Sequence, residues 1–172
     1  MRGSYFILVF LFLGFGLQAQ YVDRTSFRAG LNGGVVSGDF SEAYSLVLGI
    51  DIYQHWGVSK MVDLGVTTGF SNAFGEKEEI SASGITVETE FDNIQFVPVA
   101  GSFRIYPTTG LKFGGDVGYA IGINSGNEGG FYYRPSVGID INGGVTELNL
   151  SYLAVNGDVT YSSLLAGLLF LF

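Results

Sequence analysis

Eight stretches of the chain alternate apolar and polar residues, and their apolar side is too broad to be the inside of a small soluble barrel. Val145 to Leu153 shows it most clearly: Thr146, Leu148, Leu150 and Tyr152 share one face, and Glu147, Asn149 and Ser151 share the other. A period of two means β-strands with two environments. The polar set is compact and nearly balances its own charge, whereas the apolar set recurs on every strand with aromatic edges. That arrangement suits a barrel whose outer solvent is lipid. The rival fold, a secreted lipocalin-like barrel, puts the Leu, Ile and Phe face inside and Arg28, Asp116 and Glu147 on its surface.

The first nineteen residues are read apart from the fold. A basic start at Arg2, an apolar run from Tyr5 to Phe15 and a small residue at Ala19 form a secretory signal peptide. The run is shorter than the roughly 20 residues of a membrane-spanning helix. The expected division is therefore a signal peptide over 1–19 and one barrel domain over 20–172. Cysteine is absent, which excludes a disulfide framework. Without Arg2, seven bases face sixteen acids, a poor balance for nucleic acid, whose phosphates need Lys and Arg.

Alternation predicts eight antiparallel strands: Ser26–Val36, Ala43–Gln54, Met61–Ser71, Ile94–Tyr106, Leu111–Ile123, Phe131–Ile141, Val145–Leu153 and Tyr161–Phe172. The expected fold is all-β, an eight-stranded antiparallel transmembrane barrel in up-and-down order. Short turns alternate with longer connections, as periplasmic turns alternate with extracellular loops. The longest connection, Asn72 to Asn93, carries six acids against Lys77 alone and keeps a strand-like beat at Ile85, Val87 and Phe91, which suggests a projecting hairpin.

The chain resembles eight-stranded outer-membrane barrels of the OmpA and OmpX type, and looks closest to the outer-membrane β-barrel domain proteins of the Bacteroidota. The residues behind this are Gln18-Ala19-Gln20, the strand Asn93-Ile94-Gln95-Phe96-Val97-Pro98-Val99, and Phe103-Arg104-Ile105-Tyr106. The closing Leu169-Phe170-Leu171-Phe172 resembles the signature read by the barrel-assembly machinery. The resemblance implies the outer membrane of a Gram-negative bacterium, with lipid and lipopolysaccharide around the barrel, and a protein partner at the outer loops as a further option.

Parity sends Arg28, Arg104, Lys112 and Arg134 into the lumen with Asp51, Asp63, Asp116, Asp140 and Glu147. An eight-stranded barrel has room for little beyond its own side chains, and charges withdrawn from water need partners. These nine residues are expected to form a structural charge network, with Arg134 paired to Asp116, Asp140 or Glu147. An ion path is the alternative. His55, the only histidine, falls in a periplasmic turn beside Trp56, where it lacks the serine and acid of a lipid-modifying catalytic set. No enzyme, cofactor or metal centre is expected. The acidic cluster around Glu76–Glu79 reads as a solvated loop, with cation binding as its rival. Asn149-Leu150-Ser151 and the Gly30–Gly34 run carry no function inside strands. The leading expectation is a structural or interaction barrel with a salt-bridged closed lumen and acidic extracellular loops. A component of an outer-membrane secretion or assembly system and a small porin-like channel are the alternatives.

Overall fold

A computed structural model describes residues 24–82 and 85–172. The expected signal peptide lies outside the described residues. Ten strands follow in chain order: β1 Thr25–Ser37, β2 Tyr44–Gly57, β3 Val62–Gly75, β4 Lys77–Ala82, β5 Ile85–Glu90, β6 Ile94–Thr108, β7 Leu111–Gly122, β8 Gly130–Ile141, β9 Thr146–Asn156 and β10 Thr160–Leu171. Eight of them close into one antiparallel barrel in the order β1-β10-β9-β8-β7-β6-β3-β2. Pairing of β1 with β10, from Arg28↔Leu171 to Ser37↔Ser162, leaves the sheet without an edge. Closure of this kind is what allows strands to cross lipid, since every backbone group finds a partner within the protein.

The two remaining strands make the projecting hairpin. β4 and β5 pair only with each other, Lys77 opposite Glu90 and Ala82 opposite Ile85. The hairpin rises at the end where β3 meets β2, where the Glu76 amide donates to the Ala43 carbonyl at 2.8 Å. The short connections 58–61, 109–110 and 142–145 lie together at the opposite end. We call the two ends the loop end and the turn end.

The outer wall is apolar along every strand. Leu31, Val66, Val99, Val117 and Leu150 are more than half exposed, which in water would be an unusually large apolar patch. Phe27, Trp56, Phe103, Phe113 and Phe170 ring the turn end, and Phe74, Tyr119 and Phe131 stand near the loop end. Two aromatic girdles flanking an aliphatic belt are the signature of interfacial anchoring. A strand of 12 residues such as β7, rising ~3.3 Å per residue and tilted ~45°, spans ~28 Å, enough for a hydrocarbon core. The protein is therefore expected to fractionate with membranes, to need detergent for extraction, and to migrate faster on gels before boiling than after. A stable monomer in plain buffer would contradict the membrane reading.

Two prolines interrupt the ladders of this edgeless sheet. Pairing of β3 with β6 passes from Thr68↔Val99 to Ser71↔Phe96, skipping Pro98, and pairing of β8 with β9 passes from Tyr133↔Ala154 to Ser136↔Ser151, skipping Pro135. Proline has no amide proton to give to either ladder.

Candidate functional site: the barrel interior

The interior has two layers. Near the loop end the inward side chains are apolar: Val47, Phe96, Tyr132, Leu153, Val155 and Leu165 belong to a cluster that also takes in Tyr44 and Tyr161. An apolar layer thus occupies part of a lumen whose sequence pattern predicts charge throughout. Its residues obey the same parity as the charged ones, but an apolar residue facing inward breaks the polar-in pattern and carries no signal of its own.

Below it, all nine residues of the expected charge network point into the lumen. Eight are buried, and Asp140 is partly exposed toward the turn end. Glu147 on β9 is the hub. Its Oε2 accepts from Arg104 Nη1 at 2.6 Å and from Lys112 Nζ at 2.9 Å, and Arg28 Nη1 stands at 3.5 Å. Lys112 also binds Asp140 on the neighbouring strand. Asn149 Nδ2 donates to the other oxygen of Glu147 at 3.3 Å. Gly138 on β8 makes this convergence possible, because a Cβ there would lie 2.6 Å from Glu147 Oε1.

Arg134 departs from expectation. Asp116 is its register neighbour, yet Arg134 Nη1 donates to Asp51 Oδ1 at 2.7 Å and its Nε donates to Ser151 Oγ at 2.8 Å. β8 and β2 are diametrically opposite in the ring, so this pair spans the lumen between residues 83 positions apart. Asn32 Nδ2 donates to the second oxygen of Asp51 at 2.8 Å. Neither Asp116, Asp140 nor Glu147 is the partner. Parity assigns a face but not a position around the axis, and in so narrow a barrel a long guanidinium reaches the far wall as easily as the next strand.

Asp116 is held by hydroxyls instead. Tyr53 Oη donates to it at 3.0 Å and Ser102 Oγ at 2.6 Å. Ser102 in turn stands 2.9 Å from His55 Nε2. This corrects the turn assigned to His55: β2 continues through Gly57, which places the imidazole on the inner face, fully buried. One register row runs His55↔Gly65↔Ser102↔Asp116 across β2, β3, β6 and β7. Gly65 lets the ring cross β3, since a Cβ there would sit 2.8 Å from His55 Cδ2. The histidine therefore does have a serine and an acid beside it. Their order differs from a hydrolytic relay, in which the acid orients the base and the base activates the hydroxyl. Here the hydroxyl proton is committed to Asp116, so His55 Nε2 donates to Ser102, and the set lies within the wall-to-wall packing of the lumen.

Asp63 has a partner that the sequence did not suggest. Arg24, just before β1, binds Asp63 and stacks over Tyr106, with its Cζ 5.2 Å from the ring centroid. Tyr106 Oη donates to the second oxygen of Asp63 at 2.6 Å. Arg24 brings the interior to five bases against five acids. No strand alternation covers Arg24, so parity could not place it.

At the loop end a cavity of about 280 Å³ opens outward. Its floor is aromatic: Phe40 lies 6.2 Å from Tyr161 and 6.0 Å from Tyr44, and Phe96 lies 5.3 Å from Tyr161, all between ring centroids. Its rim carries Asp92, Glu128 and Asp158, all exposed. The wall is pinned by amides, with Asn124 Nδ2 donating to Asn93 O at 2.7 Å and Asn127 Nδ2 donating to Gln95 O at 2.8 Å.

No family profile and no curated protein sequence matches the chain. Solved structures do. The crystal structure of Ail, the attachment invasion locus protein of Yersinia pestis, superposes with a TM-score of 0.53 at 15% identity, over 86% of this chain and 97% of that one. The fold is that of an outer-membrane barrel. Ail in a phospholipid bilayer nanodisc gives a TM-score of 0.54 at 13% identity, over 86% and 98% of the two chains. Ail in complex with the heparin analogue sucrose octasulfate gives 0.50 at 13%, over 86% and 97%. These matches bear out the eight-stranded antiparallel barrel and its class; they do not reach the OmpA, OmpX or Bacteroidota level of the resemblance.

Proposed function

We propose that this chain is a non-enzymatic interaction barrel of the Gram-negative outer membrane, with a lumen closed by its own side chains and an acidic outer mouth that engages a cationic partner. The observation that carries this reading is the loop-end cavity, an aromatic floor beneath three carboxylates. Aromatic faces attract cations, more so where water is partly excluded, and the carboxylates add charge at the same place. The surroundings reinforce the sign. The connections 38–43, 76–93, 123–129 and 157–159 carry ten acids against Lys77 alone. Such a field steers positively charged partners inward and repels polyanions. Sucrose octasulfate, the heparin analogue held by Ail, is a polyanion, so that kind of ligand is not carried over to this chain. Lipid and lipopolysaccharide would surround the apolar belt, with the barrel-assembly machinery acting on Leu169–Phe172 during insertion.

The test is binding of a lysine-rich peptide and of heparin to the detergent-purified barrel. The peptide is expected to bind, more weakly as salt rises, and heparin is expected not to bind. At ~0.5–1 kcal/mol per rim charge, joint replacement Asp92→Asn, Glu128→Gln and Asp158→Asn should weaken peptide binding about tenfold or more. Preferential binding of heparin, or a triple variant that binds the peptide as the parent does, would overturn the reading.

A further inference from the structure

The turn end carries a cavity of the opposite character. It measures about 470 Å³ and is lined by Arg24, Arg28, Lys60 and Lys112 with Asp63 and Asp140 among its wall residues. Three of these bases are accounted for or free in water: Arg24 binds Asp63, Lys112 binds Asp140 and Glu147, and Lys60 is exposed. Arg28 is different. It is only 6% exposed, and its Nε and Nη1 are buried without a hydrogen-bond partner. Its nearest acid, Glu147 Oε2 at 3.5 Å, is already engaged by Arg104 and Lys112 at shorter range. Ser26, two residues earlier on the same inner face of β1 and also lining the cavity, has a buried Oγ with no partner either.

A buried guanidinium left short of acceptors is costly, and native interiors rarely keep such groups without a ligand, ion or water to serve them. Arg28 Nε and Ser26 Oγ without a partner, and Nη1 held only by the 3.5 Å ion pair, on two side chains that line one cavity with a free ammonium at its edge, call for a ligand rich in acceptors. A carboxylate offers two oxygens. A phosphate offers more, and its charge suits a wall with four bases and two acids. Arginine is also the side chain whose fork best matches such an oxyanion.

We propose that the turn-end cavity is a phosphate-binding site, with Arg28 as its buried anchor, Ser26 as a second donor and Lys60 as the rim charge. The site faces the side opposite the acidic mouth, so it would take phosphate from the periplasm. The phosphate would be either free or part of an anionic lipid headgroup in the inner leaflet.

Calorimetric titration of inorganic phosphate into the barrel in a non-ionic detergent, at fixed ionic strength, tests the first source. Native mass spectrometry of the barrel released from phosphatidylglycerol nanodiscs tests the second. Saturable phosphate binding in the parent, weakened at least tenfold in both Arg28→Met and Lys60→Gln, establishes the site with free phosphate as ligand. Retention of phosphatidylglycerol in the parent and its loss in both variants, without binding of free phosphate, establishes it with a lipid source. Lys60 is exposed, so Lys60→Gln keeps the test valid if Arg28→Met fails to give the unheated fast-migrating band of a folded barrel. Absence of both kinds of binding, or binding unchanged in Lys60→Gln and in every folded Arg28 variant, overturns the proposal.

Discussion

Replacing Glu147 with Gln is expected to lower the urea unfolding midpoint in detergent more than any other single change in the lumen. Glu147 is 1% exposed, and Arg104, Lys112 and Arg28 converge on one of its oxygens at 2.6, 2.9 and 3.5 Å. Gln keeps the shape, so no cavity opens, and its amide still offers an acceptor. What disappears is the one negative charge that three buried cations share. Removing one side of a buried ion pair costs ~3–5 kcal/mol because its partner stays desolvated and uncompensated. Here the loss falls on a hub, so the upper part of that range is expected. A second change, Lys112→Met, should restore part of the loss by removing one stranded charge. A midpoint unchanged in Glu147→Gln would mean that water screens the hub.

The pair formed by Arg134 and Asp51 calls for a double-mutant cycle. Arg134→Met leaves Asp51 buried with only Asn32 as donor, and Asp51→Asn leaves a guanidinium that is 3% exposed without its counter-charge. Each single change is expected to cost ~3–5 kcal/mol, and the double change less than the sum of the two. Because β2 and β8 stand on opposite walls, a large coupling energy would also show that side chains meet across the barrel axis. Additive effects would mean that each charge is solvated separately.

How far such contacts could be read from sequence depends on what alternation encodes. A period of two fixes the side of the wall on which a residue stands, and it sent all nine lumen charges inward. It carries nothing about height or angle around the axis, which depend on strand tilt and stagger. Hence alternation points Arg134 to Asp116, Asp140 or Glu147, on its own strand or the two beside it, whereas its partner Asp51 lies across the lumen. Alternation also fades where both faces are apolar. Leu153, Ala154 and Val155 are all buried near the loop end of β9, so the apolar inner layer left no trace in the pattern. His55 escapes alternation for a related reason: His-Trp-Gly resembles a turn, yet the strand runs on through it. The rim acids of the loop-end cavity were visible as charge, but their alignment over Phe40, Tyr44 and Tyr161 required the closed barrel.

Current through a planar lipid bilayer tests the central claim most directly. On the proposed reading, paired charges on opposite walls and an apolar layer near the loop end close the lumen to a continuous aqueous path. Insertion of the folded barrel should therefore give no sustained open-channel current, in the parent protein and at either polarity. Reproducible ohmic conductance with defined steps would contradict the account and show that the lumen charges line a path.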